Sequence, residues 1–291
     1  MKANEQCLAC LVNQMVKTAR LTNAADREKL YSKVFAAMSE IDYNRSNPEI
    51  AGDNFRLIKE HIGNSDPYKE TKARYNQMFL EKLPQYDERI KSFEDAVKYA
   101  VVANIIDFNP VHSNVEEETE RLFSEISSLT LTVDDSAQLK ADILNAETLL
   151  YLGDNCGEIC FDKLLIKRIR ELNPSCRIYF AVRGEAVIND NTEADAYSVG
   201  MDEYAEIISN GDYSPGTALE RVSAEFKAIY DSADVVISKG QGNCETLSGE
   251  DKNIYFLLMT KCNVVADYVG VKEKSLVCLH SRAYSCYGFH R

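Results

Sequence analysis

Two hydrophobic rhythms divide the chain. Over residues 4–145 apolar positions recur mostly at helical spacing, and the first stripe is Cys7, Leu8, Leu11, Met15 and Val16. Leu30, Val34, Phe35 and Met38 make a second stripe with a polar reverse side, and Pro48 is expected to close this helical pair. Residues 54–62 predict a third helix. Ser65-Asp66-Pro67-Tyr68 has the form of an N-cap followed by proline at the first helical position, and the fourth helix it opens is expected to pass Met78, Phe79 and Leu83 and stop at Pro84. Residues 90–106 are apolar on all sides, as a buried helix is. Residues 115–129 and 134–145 continue helical, with Glu116-Glu117-Glu118 as a solvated first turn.

From residue 148 the period changes to short apolar runs. Strands are predicted at 148–152, 177–182, 206–209, 235–238, 264–268 and 276–279, and helices at 161–172, 218–231 and 255–260. Strand, helix, strand repeated in this way means a parallel sheet covered on both faces. The expected fold class is therefore α/β: a helical N-terminal region, residues 1–145, packed on a three-layer, Rossmann-like parallel-sheet domain, residues 146–291. A cleft between the two halves is the natural place for a site.

Bulk properties narrow the function. A formal net charge of −13 and a pI near 4.9 argue against a nucleic-acid surface, which needs clustered Lys and Arg, so anionic substrates must be met by a local patch or a metal. No apolar run approaches the roughly 20 residues of a membrane span. The start, MKANEQCLAC, has no basic segment followed by an apolar one, and a cytoplasmic protein without a secretory leader is expected. Oligomeric state leaves no readable trace in the pattern. Nine cysteines, an odd number scattered through such a chain, are by default free thiols. Cys7 and Cys10 form a Cys-x-x-Cys pair, with Cys262 as a candidate third ligand: half of a second metal site, a redox pair, or ordinary helix-facing thiols. The ending, HSRAYSCYGFHR, together with Cys278 just before it, is expected to be a loose aromatic tail, although Cys278, Cys286, His280 and His290 also invite a metal.

Chemistry gathers at strand ends. The run at 149–152 stops at Gly153-Asp154-Asn155-Cys156-Gly157-Glu158, where a carboxylate and an amide oxygen at the sheet rim suit a hard divalent cation. The next strand leads through Arg183 and Glu185 to Asn189-Asp190-Asn191-Thr192, so Asp190 lies beyond the same rim. A third strand ends in Lys239-Gly240-Gln241-Gly242-Asn243-Cys244-Glu245, where glycines let backbone N–H groups approach a phosphate and the ammonium neutralises it; the order of a Walker A loop is absent. The buried fifth helix closes on Asn104, Asp107, Phe108 and Asn109, which either cap a turn or line the cleft. Each cluster alone also reads as a helix cap or a turn. Together they make the arrangement for phosphoryl transfer to water, a divalent metal facing a lysine.

At these residues the sequence resembles the metal-dependent damage-control phosphatases, a former domain of unknown function, and is most similar to the short prokaryotic branch. The resemblance rests on Cys7-x-x-Cys10, ANIIDF around Asn104 and Asp107, GDNCGE at 153–158, VRGEAVINDNTEADA at 182–196, SKGQGNCETL at 238–247 and FLLMTKC at 256–262, in the expected order over nearly the whole chain. It implies one divalent ion, manganese, nickel, cobalt or magnesium, on Asp154, Asn155 and Asp190, with Lys239 holding the phosphate. It also implies supporting or substrate-orienting roles for Glu158, Arg183, Thr192, Gly240, Asn243, Asn104 and Asp107. The implied activity is hydrolysis of small phosphate monoesters, sugar phosphates or damaged phosphometabolites, by water that the metal activates; Asp154 as a phosphorylated nucleophile is the alternative mechanism. Two other functions compete. The glycines after one strand and Glu185 after the next superficially imitate a nucleotide- or S-adenosylmethionine-dependent transferase, and Cys7, Cys10 and Cys262 alone would make a non-enzymatic metal or redox protein.

Overall fold

A computed structural model describes residues 1–105 and 115–282. Among these the helical half supplies α1 (Glu5–Leu21), α2 (Arg27–Met38), α3 (Asn47–Ile62), α4 (Lys69–Arg89), α5 (Phe93–Ala103) and α6 (Val115–Ser124). Then follow β1 (Val133–Asp134), α7 (Ser136–Asn145), β2 (Thr148–Leu152), α8 (Glu158–Leu172), β3 (Arg177–Val182), α9 (Glu193–Ser198) and β4 (Glu206–Ser209). The chain continues with α10 (Ala224–Ser232), β5 (Val235–Lys239), α11 (Gly240–Leu247), β6 (Ile254–Met259), α12 (Asn263–Val269) and β7 (Leu276–His280).

Local chemistry explains the helix starts. Ser92 and Asp95 form a capping box that opens α5, and Ser46 and Glu49 another that opens α3 with Pro48 in its first turn. Pro48 therefore begins a helix, and the third helix reaches back from the expected residue 54 to Asn47. Pro84 does not end α4, which runs on to Arg89; the proline lies on the exposed side of the helix, and it costs the helix one hydrogen bond without breaking it.

The seven strands form one sheet in the order β1-β7-β6-β5-β2-β3-β4, parallel except for the antiparallel β6–β7 pair. Side chains alternate between its faces as a two-residue period demands. Leu149, Tyr151, Phe180, Ile237 and Leu257 enter the core with α5 and α8, while Leu150, Leu152, Val236, Phe256 and Leu258 pack with Phe226 of α10, Leu247 of α11 and Val265 of α12. A third cluster, around Met15, Leu30, Val34, Phe55 and Tyr68, holds α1, α2 and α3 together. Helices thus cover both faces, in the expected α/β class, and the sheet is mostly parallel.

Two expected elements exchange identity. Residues 255–260 are not a helix but belong to β6, and 264–268 are not a strand but belong to α12. A central strand buried on both faces is a continuous apolar run, which periodicity alone cannot separate from a buried helix. In the α12 segment only Val265 and Ala266 are buried, one side of a short helix, and the β-branched Val264-Val265 pair imitates a strand. In the tail segment, Cys278 is buried in β7 and His280 stacks on Tyr255 with ring centroids 4.7 Å apart, whereas Cys286 and His290 lie outside the described residues.

An aromatic cluster joins the halves: Phe161 of α8 lies 5.5 Å from Phe79, 5.2 Å from Tyr86 and 4.4 Å from Phe123, ring centre to ring centre. Phe161→Ala empties a fully buried site at that junction. It is expected to cost about 3–5 kcal/mol of unfolding free energy in urea denaturation followed by circular dichroism.

Candidate active site

The sheet order places β2 and β5 side by side, yet the chain leaves β2 towards β3 on one flank and continues from β5 to β6 on the other. Loops diverging from two adjacent parallel strands leave a crevice at their carboxyl ends. Asp154 and Asn155 follow β2 directly, and Gly240 follows β5. Gly240 has φ +76°, and a Cβ there would lie 1.9 Å from Asp154 Oδ2, so glycine is what lets the end of β5 run against that carboxylate.

Main-chain pairing brings in Asp190. Asn155 and Asp190 form an isolated antiparallel bridge, the Cys156 N–H donates to the Asn189 carbonyl at 2.9 Å, and the Asn191 N–H donates to the Asp154 carbonyl at 2.8 Å. Asp154, Asn155 and Asp190, all nearly buried, meet on the wall of a cavity of about 470 Å³.

The charges there are unbalanced. Arg183 Nε donates to Asp190 Oδ2 at 2.7 Å, and Arg183 Nη2 lies 3.6 Å from Asp154 Oδ1. Burial pushes the Asp154 carboxyl well above its ordinary range, and the neighbouring Asp190 and Glu158 push it further. Burial also raises Asp190, although the Arg183 guanidinium opposes the shift. The amide is oriented as well: Asn155 Nδ2 donates to Asp154 Oδ2 at 2.7 Å and to Glu158 Oε2 at 3.0 Å, which leaves Oδ1 as its coordinating end. Two crowded carboxylates and an amide carbonyl are an oxygen-donor set that suits a hard divalent cation, and such an ion relieves their repulsion.

The other expected site residues fall in a layer behind the cavity wall. Asn104 Nδ2 donates to both Glu158 oxygens at 3.1 Å and to Asp154 Oδ2 at 3.3 Å. Asn243 Nδ2 donates to the Lys239 carbonyl at 2.7 Å and to the Gly153 carbonyl at 3.2 Å, tying the ends of β5 and β2, and its Oδ1 accepts from Arg183 Nη1 at 3.1 Å. Lys239, expected to hold the phosphate, lies beneath the wall. Its ammonium is turned away from the cavity, fully buried, and engaged with Asp162 Oδ1 at 2.6 Å and Glu158 Oε1 at 2.5 Å. Burial alone would lower its pKa, but Asp162 and Glu158 outweigh it and raise the lysine above its usual value. Thr192 is likewise a helix cap: its Oγ1 donates to Asp195 Oδ2 at 2.7 Å at the start of α9. Asp107 lies outside the described residues. Cys10 lines the cavity, Cys7 is half-buried, and Cys262 accepts from Gln241 Nε2 at 3.4 Å. Among the described residues no three His, Cys, Asp or Glu side chains converge closely enough to hold a metal, so these thiols are not a preformed ligand set.

Sequence reasoning missed the cations of the cavity itself. They are Lys17 of α1 and Lys261, which lies between β6 and α12 and acts on Asp154 electrostatically. Amides from three elements share the wall: Asn13 and Gln14 of α1, Asn47 of α3 and Gln241 of α11. Cys10, Asn13, Gln14 and Lys17 sit at helical spacing on the reverse of a stripe read only for its apolar side, and Lys261 adjoins the cysteine that drew attention in MTKC.

The damage-control phosphatase ARMT1-like domain matches residues 3–277. The damage-control phosphatase PH1575 of Pyrococcus horikoshii is 36% identical over 289 residues, covering 97% of this chain and 99% of its own. A damage-control phosphatase of Archaeoglobus fulgidus is 33% identical over 290 residues, covering 95% of this chain and 98% of its own. The crystal structure of the Pyrococcus horikoshii protein, described as a DUF89 family protein, superposes with a TM-score of 0.87 at 33% identity over 97% of this chain and 99% of that one.

The crowded carboxylates set a pH-dependent stability. A carboxyl whose folded pKa is raised stabilises the fold only at low pH, and that contribution is lost as pH climbs from the unfolded value through the folded one. In metal-free protein at pH 8, Asp154→Asn removes a carboxyl whose raised pKa costs folding free energy at that pH and is expected to raise Tm above wild type in differential scanning calorimetry, with the gap closing towards pH 4. Manganese is expected to raise the wild-type Tm and to leave the variant's unchanged. A variant less stable than metal-free wild type at pH 8 contradicts this account.

Proposed function

The chain belongs to the damage-control phosphatase ARMT1-like family, and on that premise we propose that it is a metal-dependent phosphatase that hydrolyses phosphate monoesters of small metabolites, sugar phosphates or damaged phosphometabolites. The observation that carries the metal dependence is the meeting of Asp154, Asn155 and Asp190 on one cavity wall with their carboxylates crowded and their charge only partly compensated by Arg183. A divalent cation held by these three residues, manganese, nickel, cobalt or magnesium, supplies Lewis-acid polarisation of a phosphoryl oxygen and a more acidic water.

This chain's own side chains do the rest. Lys261 and Lys17 bring positive charge to the cavity of a protein whose net charge is −13, and there they attract and neutralise a phosphate dianion. The amides of Asn13, Gln14, Asn47 and Gln241 offer paired donors and acceptors to hydroxyl groups on the carbon skeleton of the substrate. Arg183 fixes Asp190 from behind, so the carboxylate does not swing when substrate enters. Two relatives matched along nearly the whole chain are named damage-control phosphatases, which favours this reading over the transferase. Free thiols at all eight described cysteines suit a cytoplasmic protein. Among the described residues no helix is long and apolar enough to cross a membrane.

Phosphate release from p-nitrophenyl phosphate by metal-stripped protein, with each cation added back, tests the reading. Activity is expected only with added metal and is expected to disappear in Asp154→Ala. Lys261→Ala is expected to lower kcat/KM by about 10²- to 10³-fold, as loss of one charge-stabilising donor does. Equal release with and without metal, or full activity in Asp154→Ala, sinks the assignment.

A further inference from the structure

We propose that Lys239 is a positioning residue for the metal site, holding Asn155 in its cation-facing orientation through Glu158, and that it does not contact phosphate. The proposal rests on the metal-dependent reading above. An ammonium has three N–H donors. All three are engaged, with the Ala100 carbonyl at 2.7 Å, Asp162 Oδ1 at 2.6 Å and Glu158 Oε1 at 2.5 Å, and the side chain is wholly buried. No donor is left for a ligand in the cavity.

The end of α5 is shaped to receive it. There the helix tightens, and the Asn104 N–H donates to the Val101 carbonyl at 3.2 Å, which leaves the Ala100 carbonyl to the ammonium. Ala100 and Asn104 lie one turn apart at the end of α5, and Glu158 and Asp162 one turn apart on α8. One ammonium at the end of β5 therefore ties a helix from each half of the protein to the sheet.

Orientation passes through Glu158. Its carboxylate accepts from Asn155 Nδ2 at 3.0 Å and from Asn104 Nδ2 at 3.1 Å. Both amides donate into it, so both turn their carbonyl oxygens elsewhere: Asn104 Oδ1 accepts the Met259 N–H at 3.2 Å, and Asn155 Oδ1 is left to the cation site. An Asn155 amide turned by half a rotation would offer N–H groups to a cation, which repel it. Glu158 is itself completely buried, and Lys239 is the counter-charge that keeps it there. Without the ammonium the carboxylate is an unpaired buried charge that moves or draws in water, and Asn155 loses one of its two fixed acceptors.

The test compares wild type, Lys239→Met and the double variant Lys239→Met/Asp162→Asn. The double variant keeps Glu158 and leaves the buried group at the same net charge, so it serves where the single variant does not fold. Manganese affinity is read by titration calorimetry without substrate, and inorganic phosphate is used as an inhibitor at saturating manganese. Positioning predicts manganese Kd weakened about 10- to 100-fold with phosphate inhibition within about threefold of wild type. It also predicts that Glu158→Gln weakens manganese similarly and that combining it with Lys239→Met adds less than the sum of the two. Unchanged manganese affinity overturns the proposal. So does a phosphate inhibition constant raised about tenfold or more at saturating manganese, the effect expected of removing a group that binds phosphate directly. If wild type itself binds no divalent cation, the metal-dependent reading fails and this role fails with it, an outcome visible before any variant is made.

Discussion

Like charges held close together in a buried space repel, and Asp154 and Asp190 are held so by their own backbones. The bridge between Asn155 and Asp190 and the flanking bonds from Cys156 and Asn191 leave the two segments no room to drift apart. Everything around them answers that repulsion. Arg183 lies behind both carboxylates, Asn155 and Asn104 direct amide N–H groups at Asp154, and the remaining side faces the cavity. The same crowding that burdens the fold gathers the oxygen donors that a hard divalent cation prefers.

A second buried charge group stands below the first. Lys239, Glu158 and Asp162 join the end of β5 to α8, and the Tyr151 hydroxyl donates to Asp162 Oδ1 at 2.7 Å from the central strand. Burial pushes the Asp162 carboxyl up to about 6 even with the ammonium against it. Ion groups in such a place add little to stability compared with apolar packing, but they have only one satisfactory arrangement. Here that arrangement decides how the helical half meets the sheet, because the ammonium also binds the Ala100 carbonyl and Asn104 bridges Asp154, Glu158 and Met259. The all-round apolar α5 is thus joined to the sheet by its few polar groups as well as by its packing.

The helical half also completes the cavity. Its wall opposite the strand ends carries Lys17, Asn13, Gln14 and Asn47, and these meet Gln241 and Lys261 from the α/β half. Neither half lines the cavity alone. Asp154, Asn155 and Asp190 are thus carried by segments that leave the strand ends, and the amides and Lys17 are carried by helices.

Much of this was legible in order along the chain. Strand ends announce themselves where an apolar run stops at polar residues, so Asp154, Asn155 and Asp190 stood out, and the change of hydrophobic period marked the passage from helices to α/β. The cap signal at Ser65-Asp66-Pro67 placed the start of α4 within two positions. What periodicity does not contain is the direction of a side chain at a strand end. Lys239 read as a phosphate ligand because it follows a strand and precedes glycines, and only packing against α5 and α8 turns it inward. The Thr192 hydroxyl, likewise, is engaged as a cap of α9. β6 and α12 exchanged identities because a strand covered on both faces has no polar side to reveal its period. Lys17 and Lys261 lie about 240 residues apart, and no local pattern joins them. The sequence by itself therefore determined the class of fold and picked out the two acids and the amide that meet on one cavity wall, since both depend on short-range order. Which charges face the cavity and which are sealed beneath it depends on contacts between distant segments, and the tertiary structure alone decided that.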